Sequence, residues 1–173
     1  MIVKKKDVSN IIYLAFLYAL GRRTYIVRTT KDFIIHHLDY VSIKLRKQMI
    51  DEINNAKILG DSCDINDWLE LKDILLSNKN IKSKINIEND EDYTLMINSA
   101  IRRCLQMDDF PPFLYPFILN NIFTFDDHCI GVGERDLRDS RIFRFEEYKS
   151  EDKKKIEGLF HNELNRRGLE PWR

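Results

Sequence analysis

Cysteine is scarce: Cys63, Cys104 and Cys129 are the only three in 173 residues. They lie far apart, none forms a CxxC pair, and an odd number makes a poor disulfide framework. The expectation is three reduced thiols in a cytoplasmic protein. An excess of either charge is missing too, since 28 lysines and arginines balance 28 aspartates and glutamates. Zero net charge supplies no global attraction to nucleic acid or to an anionic membrane, although a local patch still can. Long apolar runs are absent. Residues 11–20 are apolar but too short to span a bilayer, and Gly21-Arg22-Arg23 follows them where a secretory signal would have small residues. Neither export nor a membrane anchor is expected. No internal repeat is visible.

What is present is a globular composition, with 43% hydrophobic and 32% charged residues. The fold class read from it is mainly α (α+β), a compact helical bundle with room for a small β-hairpin in the C-terminal half. Residues 1–78 read as a four-helix unit and 79–173 as a mixed α/β part packed on it, together one globular domain. Ser9 is expected to cap a helix over 10–20, which Gly21 ends by reaching left-handed backbone angles. Residues 25–27 read as an extended link, and Thr29 or Thr30 as the cap of the next helix. Ser42 opens a helix over 43–59. Asp64 caps another to about Leu76, with Trp68, Leu71 and Leu75 facing inward. Residues 81–88 alternate like a short strand. Asn89-Asp90-Glu91-Asp92 caps a helix to about Met107. Residues 122–125, 129–132 and 142–145 are strand-like in composition. Ser150 caps a last helix, 151–167, closed by Gly168, and the tail docks through Trp172.

Several motifs resemble chemistry but lack its spacing. Asp61, Asp64 and Asp67 do not follow the alternate-ligand pattern of a calcium loop, and capping accounts for them. His36 and His37 are adjacent, so on a helix they point about 100° apart and do not chelate one metal. They read as partly exposed, beside Asp39. His128-Cys129 would need to converge in space to act as base and nucleophile. Gly131-Val132-Gly133 lacks the third glycine of a dinucleotide fingerprint and reads as a tight turn. Arg135, Arg138, Arg141 and Arg144 are spaced by three, and the interleaved Glu134, Asp136 and Asp139 are expected to neutralise them. No catalytic residue, metal ligand or cofactor is assigned.

The stretch 18–27, Tyr-Ala-Leu-Gly-Arg-Arg-Thr-Tyr-Ile-Val, and the later Cys63-Asp64-x-x-x-Trp68 element resemble a group of small uncharacterised proteins of phages and mobile elements. The likeness covers about residues 10–76 and implies no established reaction. The mixture of Ile, Lys, Asn and Asp is also similar to that of accessory genes on mobile islands, which encode immunity and anti-defence proteins. The expected function is therefore non-enzymatic: an immunity protein that binds and neutralises a cognate bacterial toxin, such as a nuclease, in a toxin-antitoxin or contact-dependent inhibition system. Acidic side chains would meet the toxin's basic groove and aromatic anchors would fill the centre. The candidates are Asp90, Glu91, Asp92, Asp108, Asp109 and Asp126, with Phe110, Phe113 and Tyr115. Reversing the charges of Asp108 and Asp109 is expected to leave folding intact. The alternatives are a phage anti-defence protein blocking a host nuclease, or a nucleic-acid-binding regulator using Arg22, Arg23, Arg28 and Lys31. Arg22 and Arg23 could bind an anion, but the favoured reading is that one caps helix carbonyls and pairs internally with an acid such as Asp32.

Overall fold

Eight α-helices follow one another in the computed structural model, which describes residues 4–22, 25–56, 64–79 and 82–173. They are α1 (Lys5–Leu20), α2 (Tyr25–His36), α3 (Ile43–Asn55), α4 (Asp64–Leu76), α5 (Tyr93–Met107), α6 (Leu114–Asn121), α7 (Asp127–Arg138) and α8 (Glu151–Arg166). Short 3-10 turns punctuate the connections. No strand occurs among the described residues, and no helix there is long and apolar enough to cross a membrane.

The spine is the packing of α1 on α5, the most extensive helix contact among the described residues. Val8, Ile11, Ile12, Ala15, Phe16 and Ala19 bury one broad stripe of α1. Met96, Ile97, Ala100, Ile101, Cys104 and Leu105 bury the matching stripe of α5. Both follow the three-to-four-residue spacing that puts apolar side chains on one helix face. Helices α2, α3 and α4 close one side, where Trp68 meets Phe16 edge-on at 5.6 Å. Helices α7 and α8 close the other. One hydrophobic cluster runs through both sides, from Val8 to Leu164.

The β-hairpin does not form. Residues 122–124 make a 3-10 turn, 129–132 lie inside α7, and 142–145 leave a 3-10 turn for an irregular stretch. Asp126 starts α7 by accepting a hydrogen bond from the Cys129 amide at 2.7 Å. The Gly-Val-Gly segment is helix, not turn, and its glycines are packing residues. A Cβ on Gly131 would lie 2.2 Å from Trp172 Nε1, and one on Gly133 would lie 2.3 Å from Phe160 Cε1. The tail thus docks through Trp172, as expected, but in a notch that only glycine leaves open.

Other local expectations also change. Residues 25–27 are the first turn of α2, because burying Ile26 and Val27 outweighs their strand preference. Thr29 and Thr30 therefore fall within the helix rather than capping it. Helix α1 starts at Lys5, so Ser9 is interior; its hydroxyl lies 2.6 Å from the Tyr40 carbonyl oxygen. Gly21 keeps an ordinary φ of −99°. Left-handed backbone occurs instead at Asn78, Asp108 and Gly168. Residues 82–86 run irregularly into a 3-10 turn at Ile87–Asn89. Ser42 does cap α3, accepting from the Leu45 amide at 3.2 Å. Cys63 and the Asp64 side chain lie outside the described set.

Candidate functional site at the acidic end of α5 and α7

Helices α5 and α7 lie side by side and run in the same sense. Thr94 Oγ1 donates to Asp126 Oδ2 at 3.2 Å, Asn98 Nδ2 to the Cys129 carbonyl at 3.2 Å, and Arg102 Nε to Asp136 Oδ2 at 2.6 Å. Their N-termini, with the positive partial charge of unpaired amides, therefore emerge together. Asp90, Glu91 and Asp92 precede one and Asp126 the other, so acids 34 residues apart in the chain (Asp92 and Asp126) share one end of the fold.

The crowding is electrostatically visible. The Asp92 carboxyl is raised above the usual range, first by burial and then by Asp90, Glu91 and Asp32, with His36 opposing. Among the described residues, no lysine or arginine forms an ion pair with Glu91, Asp92 or Asp126. Asp90 is engaged internally. Its Oδ1 accepts from the Asp92 amide at 2.9 Å and its Oδ2 lies 2.7 Å from His37 Nε2.

His37 is the residue the sequence hides. It is fully buried rather than partly exposed, while His36 faces solvent. Its Nδ1 lies 3.0 Å from Ser83 Oγ, and Ser83 donates to Asp39 Oδ1. The order Asp90, His37, Ser83 resembles a nucleophile relay. In this geometry, however, the single Ser83 hydroxyl hydrogen goes to Asp39, so His37 has no proton to take from it. The set acts as a clasp that holds residues 83–90 against α2. A cavity of about 360 Å³ adjoins it, lined by Ile35, His36, Lys82, Lys84, Ile85 and the clasp.

The other candidates lie elsewhere. Asp108, Asp109 and Phe110 sit beyond the far end of α5, about 20 Å away at 1.5 Å per helical residue. Asp108 has a left-handed φ of 48°, and its carboxylate accepts from the amides of Lys149 at 2.8 Å and Ser150 at 3.3 Å. It joins the end of α5 to the start of α8, a structural role that the charge-reversal expectation overlooked. Asp109 is exposed. Phe110 is buried in the core and is not a surface anchor. Phe113 and Tyr115 are half-buried against that core, with Lys155 Nζ 6.0 Å from the Tyr115 ring centre.

The basic candidates are dispersed. Arg22 is exposed and stacks its guanidinium 4.7 Å from the Tyr18 ring centre; Arg23 lies outside the described residues. Lys31 is buried and bonds to Asp67 and Glu70, both at 2.9 Å. Burial alone would lower its pKa, but the hydrogen bonds it donates to Glu70 and Asp67 prevail and hold it above the ordinary lysine value. Asp32 pairs with Lys31, at 3.4 Å. In the arginine run, Arg138 pairs with Glu134 at 2.9 Å and Asp139 at 3.2 Å, and Arg135 with Asp136 at 3.2 Å. His128 and Cys129 do not converge: His128 packs outward on Trp172, while the Cys129 thiol is buried and raised by that burial.

Comparison with protein-family models, with curated proteins and with solved structures gives no match to this chain. Among the described residues no group of His, Cys, Asp and Glu is arranged to hold a metal ion.

Proposed function

We propose that this protein acts by binding another protein, as an immunity-type inhibitor that occupies the basic substrate groove of a cognate toxin such as a nuclease. The supporting observation is the meeting of the N-termini of α5 and α7, which leaves Glu91, Asp92 and Asp126 at one end without a lysine or arginine partner among the described residues. Such a surface complements a positive groove and steers its approach. Asp90 contributes field and holds the clasp rather than making contact. A phage anti-defence protein that blocks a host nuclease would use the same surface in the same way.

The test is capture of the tagged protein from its native host with nuclease treatment. A stoichiometric protein should remain bound, and Glu91→Lys/Asp92→Lys should release it. Loss of every partner to nuclease treatment would contradict the proposal.

A further inference from the structure

The opposite end of α7 carries the opposite character. An open cleft of about 690 Å³ lies between the 3-10 turn Ser140–Ile142, the stretch 143–150 and the first turns of α8. Its charged walls are Arg138, Arg141, Lys153 and Lys154 against Glu146 and Glu147. Arg138 is taken up by Glu134 and Asp139, and Lys153 lies 3.5 Å from Glu157. Glu146 is neutralised by Arg144 at 2.7 Å. Among the described residues this leaves Arg141 and Lys154 without an ion pair, and Glu147 as the one remaining acid of the wall. Phe145 lines the same cleft, and its 101% relative exposure means that the fold uses none of its apolar surface.

We propose that this cleft binds single-stranded nucleic acid, with a base stacked on Phe145 and the flanking phosphates held by Arg141 and Lys154. An aromatic face stacks any base, and a nearby arginine fork and lysine follow the backbone. The zero net charge of the chain does not oppose this, because the acidic end is about 17 Å away along the twelve residues of α7. That exceeds the Debye length of about 8 Å at physiological ionic strength. The two surfaces are separate, so either assignment can fail alone.

The experiment is fluorescence anisotropy of a labelled oligothymidylate with the full chain, at low and at physiological salt. Phe145→Ala should weaken binding about tenfold. Arg141→Glu/Lys154→Glu should abolish binding, and Glu91→Lys/Asp92→Lys should leave the Phe145 effect unchanged. All of these side chains are at least partly exposed, so circular dichroism melts should stay close to the parent and separate binding from folding. Absence of binding by the parent would overturn the proposal. So would binding insensitive to either cleft variant, since charge without stacking, or stacking without charge, is a different site.

Discussion

At the N-terminal end of α5 and α7, acids gather where unpaired amides attract them, and burial, followed by the neighbouring Asp90, Glu91 and Asp32, raises the Asp92 carboxyl above its ordinary value. At the C-terminal end of the same helices, Arg135 and Arg138 occupy the last turn of α7, which favours cations. Helix polarity accounts for the acids that precede both helices and for the cations that end α7, but not for Asp108 and Asp109, which follow α5 where its last turn holds no basic residue. The ends differ in what remains after capping and pairing. Among the described residues, Glu91, Asp92 and the capping Asp126 at the acidic end form no ion pair with a lysine or arginine, while the basic end pairs Arg135, Arg138 and Arg144 with acids and leaves Arg141, Lys154 and a bare aromatic ring. The comparison teaches that a charge at a helix terminus is ordinary, and that the surplus beyond capping is what a partner can use.

The largest expected effect comes from breaking the packing that holds the two ends in one frame. Gly133→Ala drives a Cβ into the buried Phe160 ring and should cost about 2 kcal/mol in thermal or denaturant unfolding. Gly131→Ala should cost less, because Trp172 is partly exposed and can swing out. Its readout is a change in tryptophan fluorescence as the tail undocks.

Next comes the clasp behind the acidic end. His37→Ala leaves Asp90 and Ser83 without their buried partner and should cost about 1–3 kcal/mol. Amide exchange over residues 83–90 should rise more than over α8.

The junction of α5 with α8, at the end away from the acidic surface, sharpens the distinction between structural and free acids. Asp108→Lys removes the acceptor for two amides and should cost about 1 kcal/mol, whereas Asp109→Lys should change stability little. Equal effects on the unfolding midpoint would place both in the same role.

Two carboxylates show opposite pH behaviour. Hydrogen bonds from Arg166, opposed by burial and helped by Arg167, hold Glu163 down at about 2. Its folded value lies below the free value, so its stabilisation is present above about pH 4.5 and is lost as pH falls toward 2. Glu163→Gln should flatten that acid limb of the stability profile. Asp92 is shifted the other way, so its ionised form weakens the fold at neutral pH. Asp92→Asn should raise stability by a few tenths of a kcal/mol at pH 7, and the gain should vanish below the carboxyl range. This is the smallest effect expected.

Much of the helical framework was legible locally. The apolar spacing within α1, α3, α4, α5 and α8 is written in each segment, and Ser42 and Gly168 mark their helix ends as their residue types predict. Helix α7 was not legible, because Cys129 to Val132 has strand composition and its paired glycines look like a turn. What makes it helix is the fit of Gly131 to Trp172 and of Gly133 to Phe160, side chains that arrive from later in the chain. The clasp was hidden for the same reason, since Ser83 and Asp90 lie 46 and 53 residues beyond His37. The acids at 90–92 and 126 were visible as clusters; only the parallel packing of α5 and α7 brings them together. Phe110 shows the converse, an aromatic beside two aspartates that the core claims.

The most direct measurement is a side-by-side capture from the native host, before and after nuclease treatment, using the parent chain, Glu91→Lys/Asp92→Lys and Arg141→Glu/Lys154→Glu. The account predicts a protein partner that survives nuclease treatment, is lost from the acidic-end variant and is kept by the cleft variant. A partner retained equally by the parent and the acidic-end variant, or none left after nuclease treatment, would contradict it.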